Sequence, residues 1–410
     1  MRKGKTELFF LLFTASLFYI LGNYNDNFPE IIKTETVSLK TESPDTSFYS
    51  FLRAELEQLF KRKVATGFTG AILVGHDNNV IFEAYKSIER RRIKDTITAD
   101  SRFQIASISK QFTAVAILQL LEKGLLNLED SVQKHIPEFP FYGITIHQLL
   151  CHRSGLPNYI YYIDQFKKEK HISITGDSLL KMLVDSTPVI YAKPNRRYKY
   201  SNMGYVVLSL IVERISGVPF WKYMNDHVFR PIGMDNTEVL APNMNDNFPN
   251  MLKGYSERWR EHREDYLNGC YGDKGIYTTA RDLFKWDQAL YDTIIIKPET
   301  LSLAFLPHGI PRRESRNYGY GWRILINSNR HYHYHAGWWQ GFRAFLLRVP
   351  GHKITIVALK STLAGSMVTQ NELINIIERS LFLSNSNTEL SENDTIVEEG
   401  DISNHEILIE

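Results

Sequence analysis

Apolar segments of strand length lie near both ends of this chain, with a long stretch of different character between them. Gly70-Ala-Ile-Leu-Val74 and Val80-Ile-Phe82 flank a polar turn over residues 75–79 and read as a hairpin. Toward the other end, Tyr332–Trp339, Phe342–Val349 and Ile354–Leu359 read as successive strands, followed by a helix over Thr369–Phe382. The span from roughly 106 to 300 is mostly helix and long loop. Within it Phe112–Leu121 forms a strongly apolar helix that stops near Gly124. Before the hairpin, Phe48, Phe51, Leu52, Leu56, Leu59 and Phe60 recur at helical spacing. The expected fold class is therefore α/β (α+β type). One antiparallel sheet is built from both chain ends and flanked by helices, with an inserted, mostly helical subdomain.

Composition limits what such a domain meets. The chain has 410 residues, 43% of them hydrophobic, enough for a substantial core. Its 48 Lys and Arg nearly balance 46 Asp and Glu, and no basic stripe stands out, so nucleic acid is not an expected partner. Aromatic residues make up 12%, which suggests a ring-rich cleft or surface. Cys151 and Cys270 are far apart and lack a Cys-x-x-Cys neighbour. They read as two buried free thiols, one disulfide being the alternative in an exported chain. Arg2, Lys3 and Lys5 precede an apolar run from Leu8 to Leu21, the pattern of a secretory signal. The run is short of the roughly 20 apolar residues of a membrane span. Residues 1–24 are thus expected to be a signal peptide or membrane anchor, and the protein exported, periplasmic or extracellular. No cysteine follows the run, which excludes lipid attachment there. Residues 25–46 read as a polar linker, 47–383 as the folded domain, and 384–410 as an acidic, disordered tail.

The chemistry-bearing pattern is Ser-x-x-Lys, which occurs as Ser107/Lys110, Ser131/Lys134 and Ser178/Lys181. Ser131 follows a helix end in a polar segment, and Ser178 opens an amphipathic helix on which Lys181 reads as solvated. Ser107 differs because it stands directly before the apolar helix, where one turn sets Lys110 over it on the same face. A serine hydroxyl is inert until a nearby base takes its proton. A lysine, with an ordinary pKa of about 10.4, serves only where burial or a cationic neighbour keeps it neutral. The helix N-terminus adds backbone N–H groups toward an incoming carbonyl oxygen. The competing reading is a capping Ser107 with a solvated Lys110.

Two later patterns bear on that choice: Tyr200-Ser-Asn202, opening the apolar run Tyr205–Ile211, and His335-Ala-Gly337, ending a strand before Trp338-Trp339. With them the chain resembles the serine β-lactamase, penicillin-binding protein, DD-peptidase and esterase superfamily. The likeness is closest to the branch carrying Ser-x-x-Lys, Tyr-x-Asn and Lys/His-x-Gly in that order. It extends through 105–114, 148–157, 275–283 and 318–322, and covers roughly residues 48–383. The resemblance implies that Ser107 is the nucleophile and that Lys110 and Tyr200 handle its proton. Asn202 would bind Lys110 or the substrate amide, with a helix-capping role as the alternative. His335 and Gly337 would line the substrate site, and the N–H groups of Ser107 and Trp338 would receive the oxyanion. Tyr200, with an ordinary pKa of about 10, would need cationic neighbours to act as a base.

The chain also departs from the β-lactamase pattern. His335 stands where Lys-Thr-Gly has its lysine, so a permanent charge for a substrate carboxylate is missing. Lys274, in Gly272-Asp-Lys-Gly275, takes a position the family often gives to small residues, and reads as solvent-facing. His331, His333 and His335 share one strand face, but ligands about 7 Å apart do not make a compact metal site. His152-Arg-Ser-Gly155 reads as a structural turn. No dinucleotide, Walker A, Gly-x-Ser-x-Gly or His-Glu-x-x-His motif occurs, and neither cofactor nor metal is expected. The expected function is serine hydrolysis through a covalent acyl-enzyme on an ester, D-amino-acid peptide or β-lactam. The alternative is a penicillin-binding-like protein that acylates without efficient turnover.

Overall fold

The computed structural model describes residues 47–395 apart from 91–92, 164–172, 241–247, 263–265, 311–315 and 328–329. The expected export segment and linker, residues 1–46, lie outside the described residues, as do 396–410 of the expected tail.

Seven strands make the principal sheet: β1 (Gly70–His76), β2 (Asn79–Lys86), β3 (Arg316–Tyr318), β4 (Arg323–Asn327), β5 (Arg330–Trp339), β6 (Phe342–Val349) and β7 (Ile354–Lys360). Their order is β2-β1-β7-β6-β5-β4-β3, and every neighbouring pair is antiparallel. The two chain ends meet in the β1–β7 ladder, from Ala71 opposite Leu359 to His76 opposite Ile354. The fold is thus the antiparallel α+β arrangement the sequence implies.

Both faces of the sheet are covered, which is why its central strands read as unbroken apolar runs. On one face Ile72 and Val74 pack with Leu52, Leu56 and Leu59 of α1 (Ser47–Ala65) and with Leu373, Ile374 and Ile377 of α6 (Gln370–Thr395). The pleat turns Ala71 and Leu73 to the opposite face, into the larger core. That core holds α2 (Ser109–Glu122), α3 (Gly176–Ser186), α4 (Asn202–Ser216) and α5 (Ala280–Ala289). Every residue from Ser109 to Leu120 is buried, so α2 is apolar all round rather than on one stripe. α5 is tied to the sheet by a buried ion pair, Arg348 Nε to Asp287 Oδ1 at 3.0 Å.

Two features differ from the sequence reading. α6 continues as helix to Thr395, past residue 383 where the tail was expected to begin. The middle of the chain also contains a small sheet, Phe103–Gln104, Ile276–Thr278 and Glu238–Val239. Strands of two or three residues carry no readable alternation. This sheet brings the 272–275 loop against the start of α2, where Ile105 N–H donates to the Ile276 carbonyl at 3.0 Å.

Candidate active site

A short 3₁₀ turn, Ala106–Ile108, leads into α2. Ala106 has φ +46°, a left-handed conformation that strains a residue with a Cβ by about 1–3 kcal/mol. The bend leaves Ser107 partly exposed within an otherwise buried stretch, Arg102–Leu120. The N-cap residues of the turn and of α2 are Ile105 and Ile108, so Ser107 caps neither, and the capping alternative is not what the structure shows.

Its hydroxyl instead meets Lys110, whose Nζ lies 3.0 Å from Ser107 Oγ and donates to the Asp273 carbonyl at 2.8 Å. The Lys110 amine also stands 5.1 Å from the Tyr200 ring centroid and 5.7 Å from that of Tyr205. Lys110 is fully buried, and burial brings its pKa down to about 7. The Lys274 and Arg323 charges act in the same direction, while the Asp273 carboxylate opposes them. A neutral amine that already donates to Asp273 keeps a lone pair with which to accept the Ser107 proton. The other two matches lack these conditions. Lys134 is exposed and pairs with Asp130, Lys181 is exposed and pairs with Asp185, and Ser178 completes a capping box with Thr175.

Tyr200 is held by the turn at His152. The Lys199 N–H donates to the His152 carbonyl at 2.8 Å, and the Ser201 N–H donates to His152 Nδ1 at 3.2 Å. The His152 and Tyr200 rings lie 4.2 Å apart. His152-Arg-Ser-Gly155 is therefore structural, and what it positions is Tyr200. The Tyr200 hydroxyl shares a hydrogen bond with Ser107. Burial raises its pKa, and neither that bond nor Arg323 reverses the shift, so Tyr200 rests as a neutral phenol. The nearby Arg323 charge pulls the phenol pKa down without overcoming burial, and Lys110 is the group with an accepting lone pair. Asn202 opens α4, with Ser201 as its N-cap. Its amide donates to Asn158 Oδ1 at 3.4 Å rather than to Lys110. Ser201 Oγ donates to the Pro157 carbonyl at 3.0 Å, a purely structural tie.

β5 closes the site from the opposite side. A Cβ on Gly337 would fall 2.1 Å from the Ile105 carbonyl oxygen, so only glycine lets this strand lie against the Ser107 turn. Gly321 (φ +84°) does the same behind the helix, where a Cβ would meet the Lys110 carbonyl at 2.7 Å. His335 is buried. Its Nδ1–H donates to the Ala336 carbonyl at 2.8 Å, which leaves Nε2 to accept from the Tyr318 hydroxyl at 3.1 Å. Burial, with Arg323 and Lys110 nearby, pushes its pKa well below the usual value, so His335 is neutral rather than partly charged. The Trp338 side chain is 69% exposed. Trp339 turns to the site face, its Nε1 donating to Asn268 Oδ1 at 2.8 Å.

Sequence reasoning missed Arg323. It opens β4 opposite Tyr318 and Tyr334, and its guanidinium carbon lies 5.7 Å from the Tyr200 ring centroid. It carries a permanent charge, whereas His335 is held neutral. Its one linear signal is that it directly follows the Tyr318–Trp322 segment; the strand pairing that turns it toward Tyr200 is not visible in the linear sequence. Lys274 is corrected too: it is 4% exposed and donates to the Tyr159 hydroxyl instead of facing solvent. His331 is exposed, and His333 stacks on Phe305 at 4.2 Å, so the three strand histidines do not converge. Both cysteines are buried thiols not joined to each other by a disulfide, and Cys270 Sγ donates to the Ile174 carbonyl at 3.2 Å.

Comparison with known proteins fits this geometry. A family model described as Beta-lactamase matches residues 56–378. Penicillin-binding protein 4* of Bacillus subtilis (strain 168) is 32% identical over 314 residues, 72% of this chain and 68% of that protein. A penicillin-binding protein structure from Bacillus halodurans superposes with a TM-score of 0.65 at 24% identity, covering 82% of this chain and 99% of the other. The D-amino acid amidase structure from Ochrobactrum anthropi SV3, complexed with L-phenylalanine amide, superposes with a TM-score of 0.65 at 20% identity, covering 83% and 100%.

Proposed function

This chain belongs to the beta-lactamase family, and from that premise we propose that it is a serine acyl-hydrolase working through a covalent intermediate on Ser107. The observation that carries the reading is the 3.0 Å approach of a fully buried Lys110 amine to Ser107 Oγ.

Neutral Lys110 takes the Ser107 proton as Oγ attacks the substrate carbonyl. The carbonyl oxygen becomes an oxyanion between the N–H groups of Ser107 and Trp338, which Gly337 keeps on facing backbones. Tyr200, a neutral phenol bonded to Ser107, hands its proton to the leaving group and is reprotonated from the Lys110 ammonium. Water then attacks the acyl group, with Lys110 again the base, and Ser107 is released. The substrate is an ester, a D-amino-acid peptide or amide, or a β-lactam. Arg323 favours those that bring a carboxylate, because it is the permanent cation beside Tyr200. The names of the relatives, penicillin-binding protein and D-amino acid amidase, agree with that class. Residues 1–24 are proposed to direct export, which would bring the enzyme to cell-wall peptides outside the cytoplasm.

The test is steady-state hydrolysis of a p-nitrophenyl ester and a D-Ala-D-Ala peptide by wild type and Ser107→Ala. Loss of turnover in the variant is expected. A variant as fast as wild type would end the proposal. Stoichiometric labelling by a fluorescent penicillin with no turnover of either substrate would favour the alternative, a penicillin-binding-like protein that acylates without efficient turnover and acts as a sensor or scaffold.

A further inference from the structure

Behind Lys110 lies a second buried lysine that the mechanism above does not use. Asp273 and Lys274 are 1% and 4% exposed, and Tyr159 is fully buried. Lys274 Nζ lies 3.5 Å from Asp273 Oδ1 and donates to the Tyr159 hydroxyl, which in turn donates to Asp273 Oδ2 at 3.0 Å. The Trp339 ring covers the ammonium, its centroid 5.1 Å from Nζ. Asp273 therefore faces two lysines. Its main-chain carbonyl holds the Lys110 amine at 2.8 Å, and its carboxylate holds Lys274.

This arrangement poses an electrostatic problem. A carboxylate so near Lys110 favours the ammonium, which cannot accept a proton from Ser107. Other groups facing Lys110 offer little compensation. Tyr200 and Tyr205 are held as neutral phenols, and His335 and His152 as neutral imidazoles. Among the described residues that act on Lys110, charge comes from Asp273, Lys274 and Arg323. Arg323 stacks toward Tyr200, whereas Lys274 is on the carboxylate itself.

We infer that Lys274 is a positioning residue for acylation. Its ammonium neutralises the Asp273 carboxylate, so the Asp273 main-chain carbonyl can hold the Lys110 amine against Ser107 without fixing that amine as an ammonium. This inference rests on the reading of Ser107 as nucleophile and Lys110 as base.

The experiment is the pH dependence of the acylation rate with p-nitrophenyl acetate for Lys274→Met, Asp273→Asn and the double variant, with circular dichroism of each. Removing Lys274 leaves the carboxylate unopposed, so the acid limb moves to higher pH, by about one unit or more. Removing the carboxylate moves the limb to lower pH, and the double variant returns toward wild type. Opposite displacements are the signature; a merely structural pair lowers rates without moving the limb in opposite directions. An unmoved limb, or movement of both single variants in one direction, overturns the inference. If Lys274→Met does not fold, an unmoved or upward limb in Asp273→Asn overturns it alone. Ser107→Ala separates the two layers. A variant that still acylates refutes the nucleophile, whereas an inert one alongside unmoved limbs refutes Lys274 only.

Discussion

Replacing Gly337 by alanine tests whether the site depends on two backbones lying against each other. The new Cβ would stand 2.1 Å from the Ile105 carbonyl oxygen, 3.0 Å from its carbon and 3.2 Å from the Ala106 Cβ. Ordinary contact begins near 3.4 Å, so the two segments must separate by more than 1 Å. β5 cannot simply retreat, because Gly337 is paired with Ala344 in the ladder with β6. The Ser107 turn is already strained at Ala106 and is the part that yields. That movement opens the gap between the N–H groups of Ser107 and Trp338. A displacement of about 1 Å in a reacting geometry costs about 100-fold in rate. Overpacking costs about 1–3 kcal/mol, or a few degrees of melting temperature in a domain of this size. Stopped-flow acylation by a p-nitrophenyl ester, with a thermal melt in parallel, reads both quantities. A Gly337→Ala protein that acylates at the wild-type rate with an unchanged melting temperature would refute the argument.

Other outcomes follow from the same geometry. Acylation should fall as pH drops through about 7, because Lys110 must be neutral to accept the proton; at pH 6 the rate should be about a tenth of the plateau. A flat profile between pH 5 and 8 would remove Lys110 as base. Tyr200→Phe should lower kcat about 100-fold or more while leaving the acid limb in place. A limb that vanished with the phenol would mean that Tyr200 is the base. Arg323→Gln should raise KM for a substrate carrying a free carboxylate and spare a neutral ester; equal effects on both would deny it that contact. Asp287→Ala should cost about 3–5 kcal/mol in urea unfolding, because it leaves Arg348 buried without its carboxylate. A smaller loss would show that water reaches the pair.

The parts of the fold legible in the sequence are those with a long apolar run. β6 spans Phe342–Val349, the strand segment the sequence implies, and α2 contains the whole apolar run Phe112–Leu121. The small sheet through Ile276–Thr278 was not legible, because its strands are too short to show a repeat. Ser107, Lys110, Tyr200, His335 and Gly337 could be brought together on paper through linear motifs. The charge on those groups could not. The neutrality of His335 and Tyr200 comes from burial, and burial is decided by Tyr318, His152 and Tyr205 arriving from elsewhere in the chain. Arg323 was missed and Lys274 misjudged for the same reason. A charged side chain reads as solvated unless its partner is known, and Tyr200, Tyr159 and Asp273 become partners only through tertiary packing.

The most direct test of the account is the mass of the intact protein after brief exposure to a β-lactam, a phenyl ester and a D-Ala-D-Ala peptide, followed by peptide mapping. The account predicts one acyl adduct per chain on the peptide containing Ser107, absent from Ser107→Ala and formed faster at pH 8 than at pH 6. An adduct on Ser131, Ser178 or any other side chain, or turnover with no adduct under any of these conditions, would contradict it.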